Sequence, residues 1–453
     1  MTHRHLLYIA FFFPPSRASG VYRALATARE FVDSGWKVTV VTATEDFFHR
    51  EIGTVDWSLV ELIPKEIEVV RIPFSLRGLS ERKDLREYSR FHANFVRLHN
   101  YRKAKLKVPR YFKNLKNFIS GKSNSAFITG EHYASWIEPT VKAIRNVDKR
   151  NRIDYILATG NPFSSFEVAR VASALTLAPF SVDYRDPWTI DVFSGEKAKL
   201  KSGAFRTEAA VIAQCSNTFH INHAIADEYK KLYPDSASKQ VVVPNGFDLE
   251  SLSTTSRNYE VGPIIFGILG TLNNKWPFGE ILQAWISIRG DLPPGSELRL
   301  GGYLGYFAHS ENSLKDFLPD ISDGFRYVGP IHKREVSKFY ESTSIIIIPA
   351  PGGPMVTTGK VYEAAVQPIP IVCVQGPDGG ARAALKGRPC VFPSDPDPDM
   401  IQKAMLESVI SYRSMSSDVL AEIETFSAPY RRDLAISKMV TVLEGEMGKG
   451  DNQ

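Results

Sequence analysis

The sequence predicts an α/β protein made of two Rossmann-like domains, each built on a parallel sheet. Three observations carry this expectation. At 453 residues the chain exceeds what one hydrophobic core comfortably encloses, so two domains of roughly 200 residues are expected. The stretch Ser344–Val374 holds a buried-strand run at Ile345–Ile348, a Pro/Gly loop, a short helix from about Thr358 to Val366, and a second apolar run at Pro370–Val374. The N-terminus repeats that order: an apolar run at Leu6–Phe13, the loop PPSRASG, a helix from Val21 to Ser34, and the strand KVTVVTA.

The run Leu6–Phe13 is too short for a membrane span, which needs about 20 residues, and it has no signal-type cleavage pattern, so it reads as a buried strand. Val21, Leu25, Ala28 and Val32 are spaced for one helical face, and Gly35 ends that helix. The loop between lacks GxGxxG and gives no dinucleotide signal. Ser19 and Gly20 nevertheless place backbone N–H groups at a helix N-terminus, facing the carboxyl edge of the sheet. Glu68–Ile72 is the next strand.

A basic segment follows. From Arg77 to Lys122 there are 14 Lys/Arg against 3 Asp/Glu, so the net charge of +5 belongs to this segment and the rest of the chain is acidic. Phe91, Phe95 and Leu98 are spaced i, i+4, i+7, and Leu115, Phe118 and Ile119 are spaced i, i+3, i+4, which predicts two amphipathic helices flanking Pro109. Such faces suit an interfacial helix on an anionic membrane, or a solvated helical insertion at a domain edge. Nucleic acid is not an expected partner, because the RNA and DNA motif sets are absent.

Beyond the segment, IDYILATG is a strand, GNPFSS a loop carrying Asn161, and Phe166–Leu177 a helix. The strand PFSVDYRDPW then puts Asp183, Arg185, Asp186 and Trp188 at its carboxyl end, where charge is expected at a site or as an Arg–Asp pair bracing a turn. Asn245-Gly246 is a turn pair, and the polar run Ser251–Glu260 reads as a linker. The expected organisation is therefore an N-terminal domain over 1–250 with the insertion 77–135, a second domain over 251–427, and a terminal helix over 428–447 that returns to the first domain. The second domain opens with the strand PIIFGILG and the loop TLNNKWP, where Gly270 permits close backbone approach to a phosphate and Lys275 reads either as a residue that reaches it or as a solvated loop lysine. Strands in ELRLGGYL and FRYVGPI and a helix in HKREVSKFYEST lead into Ser344–Val374, and Gly379-Gly380 open a helix near the same edge.

Lys360 falls in the first turn of its helix, where the dipole disfavours a cation by roughly 0.3–1 kcal/mol. An anion held between dipole and ammonium removes that conflict. Glu363 shares a face with Lys360, so the two read either as a surface i,i+3 ion pair or as a phosphate contact beside a carboxylate for a sugar hydroxyl.

The string TGKVYEAAVQPIPIV resembles the donor-binding segment of family 4 glycosyltransferases of the GT-B fold. DYRDPW resembles a D-[FL]-R-D-P-W signature in a subset of that family, VVVPNGFD resembles the turn closing its first domain, and YVGPI resembles the strand ahead of its donor segment. The likeness covers about Leu6–Val60 and Ile153–Met447. It implies two Rossmann-like domains facing each other across a cleft and transfer of a sugar from a nucleotide-sugar to an acceptor hydroxyl with retention of configuration. A sugar acceptor or a lipid-linked acceptor fits, as does a hexosyl donor. It also implies no cofactor and no metal, and there is no DxD between apolar strands. By resemblance Lys360 contacts the diphosphate and Glu363 the ribose, within a donor set of Gly20, Gly270, Thr271, Lys275, Thr358, Gly359, Lys360, Val361 and Glu363. Lys275 and Lys360 would stabilise the leaving diphosphate, and Asp186 or Arg185 would orient the acceptor hydroxyl, with Ser19, Asn161, Asp183 and Trp188 on the acceptor side. Many members carry an acidic residue eight positions before the Glu, where this chain has Met355. A sugar-nucleotide epimerase of the same fold, and a non-catalytic binding protein, are the alternative readings.

Cys215, Cys373 and Cys390 form neither CxxC spacing nor an even set, which predicts a reducing, cytoplasmic location without disulfides. With no apolar run of about 18 residues, membrane attachment would be peripheral, on the inner face of the cell membrane. The full chain is then expected to sediment with anionic liposomes, more at low salt, and less when Lys103, Lys105, Lys107 and Arg110 become Gln. No sedimentation at low salt would return the segment to a solvated insertion.

Overall fold

Every paired strand runs parallel to its neighbour, as the strand–helix–strand pattern predicts. The computed structural model describes residues 4–52, 55–74, 133–200, 202–253, 259, 262–272, 275–304, 318 and 324–450. Two units emerge: one of Met1–Asp191, Gly195–Val243 and Ile436–Gln453, the other of Val192–Ser194 and Pro244–Ala435.

In the first unit β1 (His5–Ala10) lies between β2 (Lys37–Ala43) and β4 (Tyr155–Thr159). With β3 (Glu68–Ile72), β5 (Phe180–Tyr184), β6 (Thr218–His220) and β7 (Gln240–Val242) the sheet order is β3-β2-β1-β4-β5-β6-β7. All residues of β1, β4 and β5 are buried, because crossover helices cover both faces of a parallel sheet. The helices are α1 (Val21–Asp33), α2 (Ile137–Arg150), α3 (Ser164–Thr176), α4 (Gly203–Gln214) and α5 (His223–Leu232). The order reverses between β1 and β4, which makes their carboxyl ends the switch point where ligands of such sheets bind.

The second unit repeats the plan. Its strands are β8 (Ile265–Leu269), β9 (Glu297–Gly301), β10 (Phe325–Gly329), β11 (Ile345–Pro349), β12 (Ile371–Val374) and β13 (Val391–Ser394), in the order β10-β9-β8-β11-β12-β13. Here the switch point lies between β8 and β11. The helices are α6 (Phe278–Ile288), α7 (Val336–Glu341), α8 (Gly359–Ala365), α9 (Gly380–Ala384), α10 (Pro398–Arg413) and α11 (Ser417–Ser427). Trp285 on α6 fills the core against Phe266 of β8.

Two expected boundaries move. The chain leaves the first unit at Val243, before the expected residue 250, because the Asn245-Gly246 turn is bonded within the second unit. Phe247 N–H donates to Tyr430 O (2.9 Å), Arg432 N–H donates to Phe247 O (2.9 Å), and Gly246 sits at φ +65° with the Tyr430 carbonyl 2.7 Å from where a Cβ would be. The last helix, α12, runs Arg432–Gly450 and does not start at Ala428, since the same pairing holds Arg431 extended after a 3-10 turn at Ala428–Tyr430. Within the first unit it is held to the body by Trp36 Nε1, which donates to the Glu444 carboxylate (3.2 Å).

The basic segment Arg77–Lys122 lies outside the described residues, as does most of the expected linker. The chain departs at Phe74 and returns at Tyr133, whose rings stack at 5.7 Å beside Phe11. Among the described residues no helix is long and apolar enough to cross a membrane.

Candidate functional site

In the second unit the two loops at the switch point carry the residues expected for the donor. After β8, Gly270 N–H donates to Gly301 O (3.0 Å), and a Cβ on Gly302, at φ +128°, would lie 1.8 Å from the Gly270 carbonyl. Gly302 must therefore be glycine for these strand ends to meet. The bare face of Gly270 is packed by Trp276, 2.9 Å from a Cβ built there, so a side chain at this position would collide with the indole. Thr271 follows on the same loop. Lys275 is exposed, with its ammonium 3.3 Å from the centre of the Phe193 ring.

After β11, a tight loop leads through buried Met355 to Thr358 at the start of α8. A Cβ on Gly380 would sit 2.4 Å from Pro354 O, so the start of α9 packs directly on this loop. The N–H groups of Ala381 (2.9 Å) and Arg382 (3.4 Å) donate to the Gln375 side-chain oxygen, which already occupies the α9 N-terminus expected at this edge. At the other end of α8, buried Arg388 donates to the carbonyls of Ala365 (2.7 Å), Gln367 (2.7 Å) and Ile369 (2.9 Å), and so closes the carboxyl end of this short helix with a cation.

On α8, Gly359 and Lys360 are partly exposed while Val361 and Glu363 are buried. The ion pair of Lys360 and Glu363 forms, Nζ to Oε2 at 2.6 Å, yet it is no surface pair, since Glu363 is only 6% exposed. A second ammonium, from Lys333, reaches the other carboxylate oxygen at 3.1 Å. Lys333 also holds Asp248 at 2.9 Å, and Asp248 accepts from Arg432 Nε at 2.5 Å. Arg432 Nη1 donates to Asn245 O at 2.7 Å. The result is a chain of alternating charges: Arg432, Asp248, Lys333, Glu363, Lys360.

Burial would push the Glu363 carboxyl up, but Lys360 and Lys333 outweigh it and hold its pKa at about 2. The same competition, won by Arg432 and Lys333, lowers Asp248. Burial would lower Lys333, and the two carboxylates raise it instead. Sequence reasoning missed Lys333, Asp248 and Arg432. HKREVSKFYEST reads only as a helix, and no local spacing links residues this far apart in the chain.

In the first unit the carboxyl edge gathers Ser19, Gly20, Asn161 and Arg185. The Arg185 guanidinium crosses the bare face of Gly20, with Nη1 1.2 Å from where a Cβ would be. It donates to Gly160 O (2.5 Å) and Asn161 O (2.7 Å). Ser19, Asn161 and Asp186 are exposed. Asp183 departs from expectation: it is fully buried and forms a bidentate pair with Arg23 (2.9 and 2.7 Å), with Thr159 also donating to it (3.3 Å). It braces β5 to α1 and presents nothing to an acceptor.

The Trp188 ring stacks on Phe163 at 5.3 Å, and the Trp188 backbone N–H donates to the Tyr229 hydroxyl (2.9 Å). Tyr229 and Tyr233 donate in turn to buried Glu208 at 2.5 and 2.9 Å, as does Thr189. Glu208, also missed, thus anchors the loop after β5. Among the described residues no group of three or more His, Cys, Asp or Glu is placed to hold a metal ion.

No protein-family model and no curated protein sequence matches the chain. Solved structures do. A glycosyltransferase from Rickettsia africae ESF-5 superposes with a TM-score of 0.65 at 12% identity, over 99% of this chain and 100% of the other. Sucrose-phosphate synthase from Thermosynechococcus elongatus gives 0.64 at 11% identity, over 99% and 100%. HepE of Anabaena in complex with UDP gives 0.61 at 13% identity, over 98% and 100%. The chain has the two-domain Rossmann-like GT-B fold.

Two outcomes follow from these geometries. Asp183→Asn strips a buried guanidinium of its partner and should lower unfolding free energy by about 3–5 kcal/mol. Urea denaturation reads this, and an unchanged midpoint would contradict the bracing role. For Glu363 the folded pKa, about 2, lies below its ordinary 4.5, so its stabilisation is complete above pH 4.5 and is lost as pH falls toward 2. The slope of stability against pH in that window should flatten in Glu363→Gln, and an identical slope would refute the assignment.

Proposed function

We propose that the protein is a glycosyltransferase that moves a sugar from a nucleotide-sugar to an acceptor hydroxyl, with retention of configuration at the transferred carbon. The observation that carries this reading is a lysine on each of the two loops at the switch point of the second sheet, in a chain with the GT-B fold. Lys360 stands on the loop–helix junction after β11 and Lys275 on the loop after β8, the two strands between which the sheet order reverses.

As the bond from sugar to diphosphate breaks, negative charge grows on the leaving oxygen, and Lys360 and Lys275 stabilise it there. The acceptor oxygen forms the new bond to the sugar as the old one breaks, and its proton passes to the departing diphosphate oxygen. In this scheme cationic side chains, and not a metal ion, offset the charge. Glu363 takes a ribose hydroxyl beside Thr358 and Gly359. On the first unit we assign acceptor recognition to Arg185 and Asp186, with Ser19, Asn161 and Trp188 around them. Gly20 serves by admitting the Arg185 guanidinium. Met355, buried in the loop after β11, leaves apolar the position where many members of the resembled family carry a carboxylate.

Titration with nucleoside diphosphates and nucleotide-sugars, followed by calorimetry and thermal shift, tests this. Wild type should bind, and Lys360→Ala should bind at least about tenfold more weakly at unchanged fold, the value of one charge-assisted hydrogen bond. Equal affinity of the variant would remove the phosphate role. Conversion of the nucleotide-sugar without any acceptor would point to an epimerase, and binding with no turnover on any acceptor to a binding protein.

A further inference from the structure

The charge chain on the second unit contains three cations and two anions, so it holds one positive charge more than it needs. Among its cations, side-chain exposure rises toward one end: Arg432 is 6% exposed, Lys333 17%, and Lys360 37%. The excess charge therefore lies at the exposed end, on Lys360. Glu363 divides its carboxylate between the two lysines, with Oε1 toward Lys333 and Oε2 toward Lys360.

With Lys360 as its only partner, Glu363 would hold that ammonium tightly, because withdrawing it would strand an ionised carboxylate in a buried site. Lys333 removes that penalty. It is itself held in place by Asp248, and Asp248 by Arg432, which is anchored on the Asn245 carbonyl.

We propose that Lys333 is a positioning residue of this site: by neutralising Glu363 from the buried side, it leaves Lys360 able to exchange Glu363 for the phosphate of a bound nucleotide. The inference rests on the phosphate role given to Lys360 above. It makes Lys333 necessary for phosphate binding without contact between Lys333 and the ligand.

Inorganic pyrophosphate, which has no ribose, is the probe, and calorimetry on the full chain is the measurement. Lys333→Met should weaken pyrophosphate binding about tenfold, as Glu363 captures Lys360, whereas Lys333→Arg, which keeps the charge, should bind like wild type. The decisive comparison is non-additivity. Lys360→Ala should cost about tenfold in the wild-type background and little in the Lys333→Met background, because there Lys360 is already withdrawn. Additive losses would mean the two lysines act independently and would overturn the proposal, as would wild-type affinity in Lys333→Met. Should Lys333→Met fail to fold, Lys333→Gln replaces it in the same cycle, where non-additive losses support the proposal and additive losses overturn it. Absence of pyrophosphate and nucleoside diphosphate binding by wild type would instead defeat the functional reading on which the proposal rests.

Discussion

A carboxylate as deeply placed as Glu363 stays ionised only if cations reach it, and meeting that requirement ties distant parts of the second unit together. Lys333 arrives from the turn before α7, Asp248 from the turn after Asn245-Gly246, and Arg432 from the first residue of α12. Among the described residues, Asp248, Lys333 and Glu363 each meet an opposite charge on both sides, and Arg432 is tied to the Asn245 carbonyl. Removing an interior member would leave a buried charge without compensation, which is more costly than the pairs are favourable. The short helix α8 depends on this arrangement at its start and on the Arg388 guanidinium at its end.

The backbone at the switch point is organised by a different constraint, close approach. Gly302 lets the end of β9 touch the Gly270 carbonyl, and Gly380 lets α9 rest on the loop after β11. These contacts bring loops from separate strands to one edge of the sheet. Beside them, the bare face of Gly270 admits the Trp276 indole.

The first unit uses the same two devices. The Arg185 guanidinium occupies the space that a side chain on Gly20 would fill, and its bonds to two carbonyls aim it along the carboxyl edge. The buried pair of Asp183 and Arg23 fixes β5 against α1, and Glu208 with its tyrosines fixes the following loop at Trp188. The side chains exposed at this edge thus stand on a scaffold of buried, hydrogen-bonded polar groups.

Local pattern determined the fold class. Apolar runs such as Ile345–Ile348 and Leu6–Phe13 can be buried on both faces only in a parallel sheet with crossover helices, and the Pro/Gly loops between them mark where the carboxyl edge lies. The same pattern placed Lys360 and Glu363 one helical turn apart and put Arg185 just beyond a strand. What it did not determine is which charges meet. Asp183 and Arg185 are two residues apart, yet one is sealed in the core by Arg23, which lies far back in the chain, while the other reaches the edge over Gly20. Lys333, Asp248 and Arg432 carry no periodicity that links them to Glu363, because Coulomb attraction acts through space and depends on burial, and only the tertiary structure sets both.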